Sequence, residues 1–253
     1  MDPHQALSFH RDFLKDHIRQ EVDFSLTEQA RGLHPPPLQK PVPDGAVRID
    51  LPKSANLTGA QSTTLFEAIN KRRSRRTFTP QPLSVDELAW LLWATQGIQR
   101  VFKAGSAFRT VPSAGARHAF ETYLALTRVD GIPPALYRYL PIEHQLILER
   151  NIPDLGSQVA EAALGQNFVA DAAAVFVWTA LPGRMEWRYG LAAHKVILLD
   201  AGHVGQNLYL ACEAIRAGTC TLAAYDQNRM DALMGVDGVE EFTIYLAPVG
   251  KVK

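Results

Sequence analysis

The chain has 253 residues, of which 47% are hydrophobic and 21% charged, and its 26 Lys and Arg residues balance 26 Asp and Glu residues. This composition excludes a mostly disordered chain, and the length is sufficient to bury a core without disulfides or a structural metal. A formal charge of zero provides no overall attraction to nucleic acid or to an anionic membrane, so neither is expected as a partner.

The sequence carries no pattern typical of a metal site or a secreted scaffold. Two cysteines, Cys212 and Cys220, are too few for either, and the histidines at positions 10, 17, 194 and 203 lack metalloenzyme spacing. The first twenty residues lack the basic start and apolar core of a signal peptide, and the longest apolar stretch, residues 175–181, is too short to span a bilayer. We therefore predict a cytoplasmic protein without a metal, in which both cysteines are buried.

An N-terminal arm is predicted ahead of the compact part of the chain. Apolar residues at positions 7, 13, 14 and 18 recur at helical intervals, and three prolines at 35–37 end that pattern. Residues 42–59 indicate an extended segment in which Ile49 and Leu51 are able to dock. The sequence thus predicts an arm over residues 1–61 that wraps a body over residues 62–253.

The first half of the body begins with two capped helices. Hydroxyl residues at 62–64 precede a short helix that runs into the basic cluster 71–76, and Ser84 with Glu87 forms a capping box for a helix that Gly97 closes. Residues 101–115 are rich in Gly, Ser and Ala and lack a period, so we predict a long loop. Strands over 122–129, 136–140 and 145–148 follow as an antiparallel meander.

The second half contains the longest helical pattern. A helix over 154–165 and a strand over 174–179 lead to residues 192–217, which are apolar on nearly every side, as expected for a helix that is buried centrally or shared between two subunits. A short helix near 231–234 and a strand over 242–249 complete the chain. Mixed helices and strands with an antiparallel meander favour an α+β fold.

Two segments have the chemistry of a binding site. Five of the six residues 71–76 are cationic around Ser74, and guanidinium groups with a hydroxyl suit a phosphate monoester, although basic runs are also common on solvated surfaces. Arg109 is followed by the small-residue turn 112–116, where backbone amides can approach a flat or anionic ligand, or which is simply a tight turn. Asp200, His203 and Asn207 share one helical face and are predicted to form a buried polar network.

Taken in order, these pieces resemble the flavin-dependent nitroreductase superfamily, and within it the SagB-type branch, which includes enzymes that oxidise azolines during peptide-toxin biosynthesis. The resemblance covers residues 62–253 and, more loosely, the arm. It is carried by Arg72-Arg73-Ser74-Arg75-Arg76-Thr77-Phe78, Leu83-Ser84-x-x-Glu87-Leu88, Leu91-Leu92-Trp93-Ala94, Gly97, Arg109-x-x-Pro112-Ser113-Ala114-Gly115-Ala116, Leu199-Asp200-Ala201-Gly202-His203, Gln206-Asn207-Leu208, Pro248-Val249-Gly250, Phe9-His10 and Leu136-Tyr137-x-Tyr139.

The resemblance implies a homodimer with FMN at the subunit interface, built on a central antiparallel sheet with a long buried helix. The implied phosphate and ribityl site is Arg72, Arg73, Ser74 and Arg76, assisted by Lys251. Arg109 and the turn Pro112, Ser113, Ala114 and Gly115 would contact the flavin from the partner subunit. Gln166 would lie near the ring, and Leu222, Ala223 and Ala224 would present backbone amides close to flavin N5.

One position departs from the SagB-type pattern. Azoline dehydrogenases of that branch have Lys-Tyr where this chain has Arg188-Tyr189, and a guanidinium stays protonated and makes a poor general base. Tyr189 and Arg188 are the candidate catalytic residues, and Tyr189 can be a proton donor, a substrate contact or an ordinary packing residue. The resemblance as a whole implies an FMN-dependent oxidoreductase that transfers hydride by a ping-pong mechanism. Either NAD(P)H gives the hydride and a nitroaromatic or quinone accepts it, or a small-molecule or peptide substrate gives the hydride and is oxidised. A non-enzymatic anion-binding protein, or an FMN binder without turnover, is the alternative.

Overall fold

A seven-stranded antiparallel sheet forms the centre of the protein. The structure, a computed structural model, describes residues 2–53, 63–102 and 105–253. The strands are β1 (Arg48–Asp50), β4 (Phe120–Leu126), β5 (Ala135–Leu140), β6 (Gln145–Arg150), β7 (Ala174–Ala180), β8 (Ala217–Thr219) and β9 (Phe242–Lys251), with β2 (Ile98–Phe102) and β3 (Ser106–Arg109) in a separate hairpin. The order in the large sheet is β1-β6-β5-β4-β7-β9-β8. The predicted α+β class and meander are confirmed.

The central strands are buried on both faces. Every residue of β4 and β7 is buried, and the two strands pair with Tyr123 opposite Val177. Aromatic and β-branched side chains such as Phe176 and Trp178 fit this pleated environment. Alternate residues face two hydrophobic clusters, so that Phe176 and Trp178 belong to one and Val175 and Val177 to the other. Two layers of helix therefore cover the sheet.

Eight α-helices surround the sheet and the hairpin. They are α1 (Pro3–Asp12), α2 (Ile18–Glu21), α3 (Leu65–Lys71), α4 (Val85–Gln96), α5 (Leu155–Ala162), α6 (Gly183–Tyr189), α7 (Ala193–Glu213) and α8 (Gln227–Met234) among the described residues. The capping box of Ser84 and Glu87 begins α4, and the amide of Gly97 closes it on Trp93. Both cysteines are buried, as predicted. Within the described ranges no helix has the length and apolar character needed to cross a membrane.

The long helix α7 ends earlier than predicted. It stops at Glu213, and Arg216 adopts a φ of 52°, a left-handed conformation that turns the chain away from the helix. Residue 217, the last in the predicted helix, instead begins β8, which lies beside β9. Nine of the helix residues are buried, which confirms its central position.

The predicted loop over residues 101–115 is wrong in its first part. Ile98–Phe102 pairs with Ser106–Arg109 as a hairpin, and the rings of Phe102 and Phe108 meet at 4.7 Å. Gly105, with a φ of 69°, supplies the left-handed conformation that this connection needs. The abundance of small residues concealed the alternating apolar side chains of the two strands.

The arm contributes to the main sheet. Strand β1 lies within it and pairs with β6, placing Ile49 opposite Leu146. Farther upstream, the amide of Gln29 donates to the carbonyl oxygen of Trp187 on α6. The predicted boundary at residues 61 and 62 lies outside the described residues.

Candidate functional site

The basic segment lies along the sheet edge formed by β8. Ser74 pairs with Thr219, the amide of Arg75 donates to the Thr219 carbonyl at 2.9 Å, and the amide of Thr79 donates to the Lys251 carbonyl at 2.8 Å. This close approach requires a glycine at position 218, since a Cβ atom there would lie 2.5 Å from Cγ of Arg75. The backbone thus fixes the segment while its hydroxyl and guanidinium groups remain at the surface.

Tyr209 of α7 organises the segment, and sequence reasoning missed it. Its hydroxyl lies 3.0 Å from the Ser74 hydroxyl and accepts the amide of Thr221 at 3.0 Å. The guanidinium of Arg72 lies 5.3 Å from the Tyr209 ring centroid. One tyrosine therefore orients two residues of the predicted phosphate site and joins them to the loop after β8. The signal available in the sequence was an aromatic side chain with a polar tip within the apolar run 208–212.

Two predicted phosphate ligands direct their charges elsewhere. The guanidinium of Arg73 donates to the carbonyls of Asn70 and Arg72, at the end of α3. The ammonium of Lys251, which is largely buried, donates to Glu87 Oε1 at 2.6 Å and to the Ile215 carbonyl. Lys251 satisfies internal acceptors and is not presented as an open anion ligand, whereas Arg73 is exposed and uses only Nη1 for these contacts. The phosphate-binding roles of both residues stay predictions, and the contacts of Lys251 weigh against its role.

A cavity of about 660 Å³ adjoins the remaining groups of the segment. It is lined by Ser74, Arg75, Arg76, Thr77, Phe78, Thr79, Pro80, Val252 and Lys253. Arg76 also lies 5.9 Å from the ring of Phe168. An exposed hydroxyl among guanidinium groups is a donor set that fits a phosphate.

The loop after β8 presents two open backbone amides. Leu222 forms a two-hydrogen-bond bridge with Leu246, so its amide is already used and the prediction for that residue needs correction. Within the described part of the chain, the amides of Ala223 and Ala224 have no hydrogen-bond acceptor. Gln166 contacts the same loop, since its Nε2 donates to the Ala224 carbonyl at 3.1 Å. The structure therefore brings Gln166, Ala223 and Ala224 together, and their contacts with a flavin ring stay a prediction.

The small-residue turn lies against α7 and α6. The Ser113 hydroxyl accepts the amide of His118 at 2.9 Å, and the amide of Ala114 donates to the Asp200 carboxylate at 3.2 Å. Burial raises the pKa of Asp200, while hydrogen bonds from Ser113 and Ala114 oppose that rise. Gly115 has a φ of 59°, which favours glycine. The turn is therefore held open by its own polar contacts, with Pro112 and Gly115 exposed.

Gly115 brings the turn into contact with the predicted catalytic pair. A Cβ atom at position 115 would lie 2.7 Å from both Cδ of Arg188 and the hydroxyl of Tyr189. Arg188 is held by Gln29, whose Oε1 accepts from Nη1 at 3.0 Å, and its guanidinium lies 5.5 Å from the Tyr189 ring. Gln29 belongs to the arm, and nothing in the sequence linked it to this site.

Arg109 occupies a different position from the one predicted. Its guanidinium is buried and donates to Gln96 Oε1 at 2.6 Å and to the Leu38 carbonyl at 2.8 Å. Burial, with the nearby charge of Arg184, lowers the pKa of Arg109 to about 10. These contacts make Arg109 an internal anchor for the arm rather than an open cofactor ligand.

The predicted polar network on α7 is only partly formed. Asp200 contacts the turn, and Asn207 Nδ2 donates to the Ala94 carbonyl of α4 at 2.8 Å. His203 is exposed instead of buried. Asp200 and Asn207 thus fix the helix against its neighbours, and no group of His, Cys, Asp and Glu in the described ranges is arranged to hold a metal ion.

The fold and its known relatives define a protein of the oxidoreductase class. The Nitroreductase family model matches residues 69–251. The chain is also 31% identical, over 77% of its length and 94% of the relative's, to a protein of Methanocaldococcus jannaschii named "Putative nitroreductase MJ1384". The chain belongs to the nitroreductase family.

Solved structures show the same fold. One is the crystal structure of a protein from Ralstonia eutropha JMP134 that is named "putative nitroreductase". Its sequence is 29% identical, and the match covers 87% of this chain and 99% of that chain, with a TM-score of 0.67. In the E. coli microcin synthetase McbBCD complex with truncated pro-MccB17, a chain 19% identical covers all of this chain and 95% of its own, with a TM-score of 0.61. This chain spans 42% of another match, a nitroreductase-type protein from Anabaena variabilis ATCC 29413 (TM-score 0.66, 23% identity, 83% of this chain).

Proposed function

We propose that this protein is an FMN-dependent oxidoreductase that passes hydride from NAD(P)H to an electron-poor acceptor of the nitroaromatic or quinone type. One observation carries the proposal: the Tyr209 hydroxyl contacts both Ser74 and the amide of Thr221. This contact sets a phosphate-binding donor group beside a loop with two open amides, as a phosphorylated ring cofactor would require.

The residues that fit FMN fall into two sets. Arg72, Ser74 and Arg76 would hold the phosphate and ribityl chain, and Ala223 and Ala224 would donate hydrogen bonds to the ring, with Gln166 beside them. Bound FMN supplies a ring that accepts hydride from NAD(P)H and, after the nicotinamide leaves, gives it to the second substrate. The protein's own work is to donate hydrogen bonds near N5 and to leave one face of the site open, which the small side chains at 223 and 224 allow.

We also propose that a second copy of the chain completes the site. Asp200, which holds the turn, and Tyr209, which holds Ser74, lie nine residues apart on α7, or about 13.5 Å along its axis. Each half of the site is therefore anchored to a different stretch of one rigid helix. The turn of one protomer would face the phosphate half of its partner, forming two sites per homodimer.

The reductive direction fits residue 188 better than azoline oxidation does. A guanidinium is a poor general base, so Arg188 does not suit the removal of a substrate proton. Tyr189 has its hydroxyl beside Gly115, at the exposed turn, where it can donate a proton to a reduced acceptor. If NAD(P)H fails to reduce the protein, the reductive function is replaced by the alternative, a SagB-type oxidation of a small molecule or peptide.

The first test is flavin binding by the purified protein, followed by absorbance and by anaerobic titration with NADH and NADPH. We expect Arg72→Ala and Ser74→Ala each to weaken FMN binding about 10- to 100-fold, because each removes a charge-assisted or polar contact to phosphate.

Arg48→Ala is the control, since its guanidinium contacts Gln145 at the opposite edge of the sheet from β8 and FMN affinity should stay within about threefold of the unaltered protein. Colourless protein that refuses FMN at saturating concentration would contradict the proposal. Anion binding without flavin would favour the non-enzymatic alternative, and flavin binding without reduction would favour a degenerate member of the family.

A further inference from the structure

A pair of arginines beside the turn lacks acidic partners. Arg117 is buried, its Nε donates to the Arg184 carbonyl at 3.2 Å, and its Nη2 has no hydrogen-bond partner. Its guanidinium lies 4.6 Å from the ring of Trp187. The second arginine is Arg188, which follows Trp187 on α6. It is partly exposed, and its hydrogen-bond partner is the uncharged side chain of Gln29. Neither arginine forms an ion pair within the described ranges, and the residues outside them contain no Asp or Glu.

The neighbouring carboxylates are directed at other groups. Glu121 pairs with Arg184, Glu186 pairs with His194 at 2.8 Å, and Asp200 accepts the amide of Ala114. Burial lowers the pKa of Arg117, and the positive charges of Arg188 and Arg184 lower it further. This corner of the site is therefore net positive without an internal acid to balance it.

Arg188 is partly exposed beside the turn, so its charge is accessible to a ligand. Gly115, which lies against its side chain, lines a cavity of about 630 Å³ together with Ser113 and Ala116. A guanidinium has five N–H donors, and the described residues engage Arg188 through one hydrogen bond to Gln29. Gln29 and the Tyr189 ring fix the plane of the group, so the loss of side-chain freedom on binding is already reduced.

We propose that Arg188, positioned by Gln29 of the arm, recognises an anionic oxygen group on a substrate of this site. The inference rests on the proposed function and specifies its substrate class. A carboxylate on the acceptor and the 2′-phosphate of NADPH share this chemistry, and a guanidinium binds either through two parallel hydrogen bonds. Gln29 acts through Arg188 and is a positioning residue.

The test compares two acceptors of nearly equal shape, 4-nitrobenzoate and 4-nitrobenzamide, and compares NADPH with NADH. The preference within each pair is the ratio of the two kcat/KM values. We expect Arg188→Gln to reduce the preference for the anionic member of one pair about tenfold or more, chiefly through a change in KM. Arg188→Lys should retain part of it. Gln29→Glu should abolish it while Arg188 remains, because the new carboxylate would pair with the guanidinium. Arg48→Gln and Gln39→Ala, which change a charge and an amide elsewhere, are the matched controls.

A turnover-independent measurement separates this inference from the proposed function. Benzoate and benzamide are titrated into the purified protein while tryptophan fluorescence is followed, since Trp187 contacts Arg117. If Arg188→Gln changes only the 4-nitrobenzoate preference and benzoate binding, the ligand is the carboxylate of the acceptor. If it changes only the NADPH preference, the ligand is the 2′-phosphate of NADPH. If FMN binds and is reduced but Arg188→Gln alters neither ratio and benzoate binds no better than benzamide, the inference is overturned while the proposed function stands.

Discussion

His118 shows how a single residue ties the turn to the core. Its amide donates to Ser113, and Nε2 donates to the Ala107 carbonyl at 2.9 Å, because a carbonyl oxygen can only accept. Burial, followed by the positive charge of Arg109, lowers the pKa of His118 to about 3. The ring is therefore neutral in the folded protein, beside a cluster of arginines that would repel its protonated form.

This pKa predicts acid sensitivity. The unfolded chain protonates His118 below about pH 6.5, whereas the folded chain does so only near pH 3, so the free energy of unfolding should fall as the pH is lowered through that interval, by on the order of 3–5 kcal/mol in total. His118→Asn, which suits the left-handed φ of 51°, should remove this contribution. Denaturant unfolding of both proteins from pH 7 to 4 measures it, with exposed His34→Asn as the control. Parallel curves for His118→Asn and the unaltered protein would contradict the prediction.

At the scale of elements, the arm is held by buried charges rather than by a long apolar stripe. The Lys40 ammonium contacts the carboxylate of Glu241 and the Tyr123 hydroxyl. The backbone amide of Lys40 donates to Glu121 Oε1 at 2.8 Å. Arg138 donates to the carbonyls of Lys40 and Pro41. Partners from β4, from β5 and from the residue before β9 thus fix two consecutive residues of the arm. Gln29 lies upstream of this anchor, so the anchor also supports the position of Arg188.

Lys40→Met should destabilise the protein by about 3 kcal/mol, since it leaves the buried carboxylate of Glu241 without its cation. The midpoint of urea unfolding gives this value, and limited proteolysis of the arm reports its release. Gln39→Ala, whose hydrogen bonds lie at the surface, should cost less than about 1 kcal/mol. Equal effects of the two substitutions would show that the charge contacts do not anchor the arm.

At the scale of the whole molecule, apolar side chains remain exposed near both halves of the site. Leu65, Phe66 and Ile69 of α3 and Leu198 and Leu199 of α7 are all more than half exposed. α3 leads into the phosphate segment, and Leu199 precedes Asp200, which holds the turn. Burial of such surface between two copies would stabilise a homodimer and bring the two halves together.

We therefore expect Phe66→Glu and Leu199→Glu each to weaken dimerisation at least tenfold and to lower FMN affinity in parallel. Analytical ultracentrifugation with detection at the flavin absorbance band follows both quantities in one experiment. Val239→Glu, at a side chain that is 73% exposed before β9, is the control and should change neither. A monomer that retains FMN at full affinity would disprove the composite site.

Local signals in the sequence located most elements, whereas long-range contacts decided the site. The capping box at Ser84 and the closing Gly97 are local, so the bounds of α4 followed directly. The link from Ser74 to Tyr209 spans 135 residues and that from Gln29 to Arg188 spans 159, so neither could be inferred without the fold.

The same reasoning explains the corrections. Arg109 and Lys251 are cations whose acceptors, Leu38 and Glu87, come from distant parts of the chain. Residue type and spacing identify a cation, but only packing shows whether an internal group already satisfies it. The amide of Leu222 is likewise consumed by a bridge to Leu246 that no local pattern announced.

The missing side chain at Gly115 limits how this enzyme can diversify. A φ of 59° strains any residue other than glycine, and a Cβ there would press on the side chains of Arg188 and Tyr189, so the turn itself has little freedom to change. If Arg188 reads the substrate, changes in substrate choice are expected in α6 and in the arm, because Gln29 contacts its guanidinium through a side chain alone. Rapidly evolving N-terminal segments in related enzymes would then mark adaptation of substrate choice rather than relaxed selection.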